Sequence, residues 1–157
     1  MITRIEDWID KTNQKYSLER KSCLILQDKF SGFYTSSFLG DSYFVVVDDI
    51  PKPYFPELRE IGMGDFLDMP VDGITYKNTY YIREAHANNL TLHCHELVHV
   101  AQWGILGARS FISRYINEIQ QYGYRSAPLE VMAYELEKHY SDGGEVFDIP
   151  EFVKKSL

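Results

Sequence analysis

The chain contains only two cysteines, Cys23 and Cys94, in 157 residues. That is too few for a disulfide framework. No run of lysine and arginine occurs, and the formal net charge is −7, which argues against nucleic acid as a partner. No apolar run approaches the length of a membrane span, so a membrane is not expected as a partner either. The first ten residues, MITRIEDWID, are acidic and amphipathic and lack a signal-peptide core. A cytoplasmic location is the expectation. Internal repeats and low-complexity stretches are also missing. What is present is a globular composition, 45% hydrophobic and 15% aromatic. It is enough to build one domain, 1–157, around a real core.

The most informative stretch is Thr91 to Gln102, TLHCHELVHVAQ, which contains His95-Glu96-Leu97-Val98-His99. On a helix, residues i and i+4 lie one above the other. Both imidazoles therefore point into one space, as two ligands of a zinc ion must. Glu96 lies about 100° round the helix from His95. That takes it off the ligand line and leaves it near a metal-bound water, in the place of a general base. A chain of this composition carries such a run by chance about once in eighty, so the surroundings have to support it. They do. Leu90, Cys94, Leu97, Val98 and Ala101 form one apolar stripe, and His95, His99 and Gln102 form a polar one roughly opposite. The expectation is a helix with one face on a core and the other facing a cleft. Cys94 falls on the apolar stripe and reads as a buried thiol.

Catalytic zinc takes three protein ligands and a water. Gln102 and Ile105 stand where the metzincin pattern would place Gly and His, and the aspzincin G-T-x-D is absent. Downstream, Ser126 to Tyr134 reads as a helix start with Pro128 in its first turn. Its apolar stripe is Met132, Ala133, Leu136 and Tyr140, with Glu130, Tyr134 and Glu137 on another side. Glu130 is the third ligand. Glu137, about 10 Å further along the axis, reads as a solvated charge.

An H-E-x-x-H helix followed some thirty residues later by a helix with E-x-x-A resembles the gluzincin metallopeptidases, in particular the minimal gluzincins and bacterial zincin-like domains. The resemblance covers about residues 74 to 140, within a metal-site core of 73–141. It implies a zincin-like α+β fold, a small sheet packed beside helices. It also implies Zn2+ on His95, His99 and Glu130, with Glu96 as the base. Many gluzincins place an Asp four residues after the ligand Glu, to support a ligand histidine. Here that position is Tyr134, so the support comes from Tyr134 or elsewhere. The resemblance further implies that the strand before the metal helix forms the upper rim of the cleft, where extended substrate pairs with its edge.

Along the rest of the chain, Thr3 to Glu6 reads as a capping box for a helix to about residue 15. A second helix, about 18–29, competes with a strand there. Asp41–Asp49 is the clearest strand. Pro51, Pro53 and Pro56 then interrupt pairing, a short helix follows near 56–61, and Gly62, Gly64, Pro70 and Gly73 mark a loop-rich crossing. Ile74–Ile82 reads as one strand, with Ile74, Tyr76, Tyr80 and Ile82 on one side. Gly104 and Gly107 close the metal helix. A helix over about 108–122 carries a core stripe, Phe111, Ile112, Tyr115, Ile119 and Tyr122. The tail, 145–157, reads as a docking short helix, and residues 142–157 are the candidates to cover the cleft.

The function expected is metal-assisted hydrolysis of a peptide or protein substrate. Zinc lowers the pKa of a bound water, and Glu96 relays the proton to the leaving amine. Tyr124, Arg125 and Tyr134 are the candidates for steadying the oxyanion, with Tyr134 placed in the catalytic set. His93, His86 and His139 read as packing or surface residues. The alternative is a zinc-binding module without turnover that acts in protein interaction. Oligomeric state is open.

Overall fold

The computed structural model describes residues 1–157. Helix α1, Ile2–Lys15, presents Ile5 and Ile9 to the interior. It starts one residue before Thr3, so the expected capping box does not form. The Thr3 hydroxyl instead accepts a hydrogen bond from Arg109 Nη1 at 2.9 Å. The stretch after it is not the long second helix. It holds a two-residue strand β1, Lys21–Ser22, and a 3-10 turn, Cys23–Leu26, whose Leu24 amide is capped by the Ser22 hydroxyl. The CLIL run has no helical period to sustain anything longer. Helix α2, Ser36–Gly40, is capped by Thr35.

Strand β2, Tyr43–Val47, is β-branched and aromatic. It lies between β1, antiparallel to it, and a later strand, parallel to it. The parallel step needs a crossover, which residues 48–72 help to provide. Three prolines open that crossover. A bent helical segment follows, with α3, Pro56–Leu58, and α4, Gly64–Asp68, separated at Gly62, where φ is +92°. Arg59 reaches across the bend to Asp68 at 2.8 Å. Buried Lys52 donates to the carbonyl oxygens of Phe66 at 2.9 Å and Met69 at 2.6 Å. A cation on the last carbonyls of α4 is favourable there.

Residues 74–82 are a hairpin rather than one strand. Strand β3, Gly73–Tyr76, turns through Lys77 (φ +61°) and Asn78 into β4, Thr79–Arg83, and the sheet order is β1-β2-β4-β3. The turn changes the phase of the alternation. Gly73 and Thr75 pair with Ile82 and Tyr80 and share their face, while Ile74 pairs with Tyr81 on the other. A side-chain period of two carried through the turn would put Ile74 with Tyr80, which is why the one-strand pattern misassigns them.

Helix α5, Leu90–Leu106, is capped by the Asn89 side chain, which accepts from Leu92 N at 3.2 Å. It ends at Gly107, in positive φ at +80°. Helices α6, Ala108–Tyr122, α7, Pro128–Ser141, and α8, Ile149–Ser156, follow. The result is an α+β architecture with a small mixed sheet. Phe44, Tyr80 and Ile82 on one sheet face pack on Cys94, Leu97 and Val98 of α5. Val45, Val47 and Tyr81 on the other pack with Ile5 and Ile9 of α1. Burying side chains such as Leu97 and Val98 stabilises the fold by about 1.5–3 kcal/mol each. Helix α8 docks on the apolar stripe of α5 through Ile149 and Val153. The tail thus lies behind the metal helix and not over its polar face, because its apolar residues match that stripe.

Candidate metal centre

Helix α5 is enclosed on every side from His93 to Trp103. The polar stripe expected to face an open cleft is covered by α7 and β3. His95, Glu96, His99 and Glu130 are only 2–4% exposed. Helix α7 runs antiparallel to α5. Near its start Leu129 meets Gln102, and toward its end Glu137 meets His95. The start of α7 is fixed by the buried Glu118 carboxylate, which accepts from Leu129 N at 2.7 Å and is itself held by Arg114. Glu130 follows in the first turn.

His95 Nε2 and His99 Nε2 lie 3.2 Å apart. Glu130 Oε1 is 3.1 Å from the first and Oε2 is 3.0 Å from the second. For metal bonds of about 2.0–2.1 Å, the edge of a tetrahedron is about 3.4 Å. The three donors therefore already have the spacing a small divalent ion requires, all within 4.8 Å of one another.

The far nitrogens confirm that these two Nε2 atoms can be donors to a metal. His95 Nδ1 is 2.9 Å from Glu137 Oε1. A carboxylate only accepts, so Nδ1 carries a proton, and Nε2, on the side of Glu130 and His99, is the nitrogen that can give its lone pair to a metal once its own proton is lost. His99 Nδ1 is 2.7 Å from Gln102 Oε1, and Gln102 Nε2 donates to the Leu129 carbonyl at 3.0 Å. The amide is thus oriented with its oxygen toward His99, which donates from Nδ1. Both imidazoles are turned and polarised by an outer partner, the arrangement found around ligand histidines.

Glu96 is placed by β3. Its Oε1 accepts from the Thr75 hydroxyl at 2.9 Å. Its Oε2 lies 4.0 Å from His95 Nε2, beside the donors without joining them. Gly73 makes room, since a Cβ there would come within 3.1 Å of Glu96 Cδ and Oε2. Burial pushes the Glu96 carboxyl above its ordinary range, against the pull of His95 and His99. It is a better proton acceptor than a solvated glutamate. Burial acts against a charge on His95, but hydrogen bonds to Glu130 and Glu137 outweigh it and push the group up to about 10. Burial likewise opposes the charge of Glu130, and His99 and His95 together hold its carboxyl well below the usual range.

Three residues beside the cluster carry roles that sequence reasoning missed. Glu137, read as a solvated charge, is the support for His95. Gln102, placed on the polar stripe without a role, is fully buried and supports His99. Tyr115, read as core, donates to Glu130 Oε2 at 2.7 Å. Glu137 and Gln102 each lie on the polar side of their helix, which was the only sequence signal, whereas Tyr115 falls on the apolar stripe of α6 and carried none. The Tyr134 ring sits against His95 at a centroid distance of 4.6 Å. It makes no hydrogen bond to an imidazole. His93, buried, packs as expected: its Nε2 donates to the Ala87 carbonyl at 2.8 Å and its Nδ1 accepts from Tyr80 at 2.6 Å.

The site opens on one side into a largely apolar pocket of about 80 Å3, to which Glu96, His99 and Glu130 contribute. No helix is long and apolar enough to cross a membrane. No family model, no curated protein and no solved structure matches the chain.

Proposed function

We propose that the protein is a zinc-dependent metallopeptidase of the gluzincin type, hydrolysing peptide bonds. The observation that carries this reading is the juxtaposition of a three-donor cluster with a separate buried carboxylate. His95, His99 and Glu130 converge at 3.0–3.2 Å, and Glu96 stands 4.0 Å from His95 Nε2 without taking part. The imidazole donors, each with a polarising partner, suit zinc among the divalent ions.

An ion held there would supply an activated water and polarise the substrate carbonyl. Glu96 takes one proton from that water as its oxygen bonds to the carbonyl carbon. It then gives the proton to the amide nitrogen as the C–N bond breaks, leaving an acid and an amine. Thr75 holds the carboxylate for both transfers. Tyr134 and Tyr124, beside the cluster, are the groups within the fold that can donate to a developing oxyanion. Strand β3 is the last in the sheet, and by its register Gly73 and Thr75 turn their backbone amides and carbonyls to the free edge. An extended peptide added at that edge would bring its carbonyl above Glu96.

Glu96→Gln tests the reading. It should retain about one zinc per chain and lose peptide hydrolysis by at least about a hundredfold. Equal turnover in the variant and the parent would remove Glu96 from the mechanism. A second reading, a zinc-bearing interaction module without turnover, is favoured by the near-complete burial of the cluster. It predicts zinc in the parent chain and no hydrolysis in either protein.

A further inference from the structure

His95, Glu96, His99 and Glu130 are 2–4% exposed, so a ligand reaches them only when a wall moves. Most walls are committed. Helices α5 and α7 bear the donors, and β3 seats Glu96. Helix α6 holds α7 through Tyr115 and Glu118. Helix α1 is bound to the hairpin, by Asn13 to Tyr76 and Tyr81 and by Glu6 and Asp10 to Lys77. The remaining wall is the crossover, residues 51–72. Leu58, Met63 and Phe66 line the chamber from it, and the Phe66 ring lies against Tyr115 at 5.9 Å and Tyr124 at 6.0 Å. It can leave without displacing a donor.

The crossover is also built as one piece. Buried Lys52 closes its neck. The ammonium donates to the carbonyl oxygens of Phe66 at 2.9 Å, Leu67 at 3.4 Å and Met69 at 2.6 Å. One end of the segment thus holds the other, as in a compact Ω-shaped loop. Arg59 and Asp68 tie its two short helices together. On either side of the neck, residues 48–50 and 70–72 belong to no helix or strand. Its polar ties to the body are few. Gln120 Nε2 on α6 donates to the Ile61 carbonyl at 2.6 Å, Arg4 on α1 pairs with Glu57 at 2.9 Å, and the Tyr76 hydroxyl donates to the Pro51 carbonyl at 2.7 Å, beside the neck.

We infer that residues 51–72 are a flap that lifts as a unit from α6 and uncovers the chamber and the metal cluster, with Lys52 holding its neck and Gln120 its rim. Closed, the flap buries Leu58, Met63, Phe66 and Leu67, so the open form is a minor population. The inference concerns access to the cluster and is independent of which reaction takes place there.

The test is thiol labelling of the full, metal-free chain with N-ethylmaleimide under native conditions, read site by site by mass spectrometry. Met63→Cys places a thiol on the flap, and Ile112→Cys places one on the chamber wall of α6. Cys23 and Cys94, fully buried in the other core cluster, report opening elsewhere. Both introduced thiols should react at least about tenfold faster than Cys23 and Cys94. Gln120→Ala, at an exposed position, should speed both by one common factor, about three- to tenfold for a single hydrogen bond. Lys52→Met should speed both by more, since three carbonyls lose their partner. Val153→Ala, in the other core cluster, should lower the urea midpoint and leave both rates where they were. Labelling no faster than that of Cys23 and Cys94, or labelling that rises in Val153→Ala, would show that exposure requires unfolding and would overturn the flap. A Met63→Cys thiol that responds to Gln120→Ala while the Ile112→Cys thiol does not would overturn its role as the cover of the chamber. Rates unchanged in Lys52→Met would overturn the part given to the neck.

Discussion

Glu137 and Glu130 hold opposite sides of one imidazole: His95 Nδ1 donates to Glu137 at 2.9 Å, and His95 Nε2 faces Glu130 at 3.1 Å. Two carboxylates two turns apart on α7 thus set both the tautomer and the tilt of a single ring. Glu137→Ala removes the outer one. The expected result is a loss of about 10–100-fold in zinc affinity, read by competition with a chelator of known strength. Glu137→Gln, whose carbonyl can still accept, should recover part of it. Unchanged affinity in Glu137→Ala would show that Tyr134 packing alone orients the ring.

Gln102 has the matching task for His99, at a site with no access to water. Gln102→Leu keeps the volume but strands one buried group, His99 Nδ1–H, while the Leu129 carbonyl keeps its place in the α7 hydrogen-bond ladder. A stranded group costs about 1–3 kcal/mol. Urea unfolding of the metal-free protein should register a destabilisation of about 1–3 kcal/mol. A change below about 0.5 kcal/mol would mean that the imidazole finds another partner.

Gly73 is occupied by the side chain of Glu96 rather than by any of its own. In Gly73→Val, the added carbons would meet Glu96 Cγ at 3.2 Å or less and displace the carboxylate. Under the proposed mechanism, turnover should fall by roughly a hundredfold, while zinc content stays at the parent level because no ligand is touched. Loss of zinc in this variant would contradict the separation of base from ligands.

Alkaline pH should weaken the fold. Burial pushes the Cys23 thiol from 9.0 up to about 12, and burial also holds the Tyr76 and Tyr80 phenols well above their usual range. Between pH 9 and 12 the unfolded chain releases these protons and the folded chain keeps them. Fewer protons are then bound in the unfolded state, so stability falls as pH rises. At pH 10.5 the thiol alone accounts for about 2 kcal/mol. The urea midpoint should drop between pH 8 and pH 10.5, and Cys23→Ser or Cys23→Ala should reduce the drop.

Helix ends and the inner donors were legible because they depend on local pattern. Gly107 and Pro128 bound α5 and α7 where chain chemistry requires. The i, i+4 spacing of His95 and His99 is a property of one helix. Glu130 could be chosen because it precedes the apolar stripe of its own helix at the right face. Glu137 was not legible as a partner of His95, since its role arises from the antiparallel crossing of α5 and α7, and no residue in either helix encodes that crossing alone. The same holds for Thr75 and Gly73, which reach Glu96 only because the hairpin turn at Lys77 and Asn78 resets the strand phase. A lysine in positive φ carries little turn signal. The placement of α8 behind α5 follows from matching apolar faces. A chain position just after the ligand helix suggested the opposite side.

The pocket and the metal cluster are assembled over different lengths of chain. His95, His99 and Glu130 span 35 residues between the outermost two, whereas the Thr3–Arg109 bond that seats α1 on α6 joins residues 106 apart. Contacts of short separation close sooner and at a smaller entropic cost than long ones. On a growing chain, α1 is made first, yet its Ile5 and Ile9 have no wall to complete until α6 has emerged. The three donors need the hairpin and the α5–α7 pair, with α6 holding the start of α7 through Glu118. They can therefore converge before the most distant pairing, α1 on α6, closes the chamber beside them.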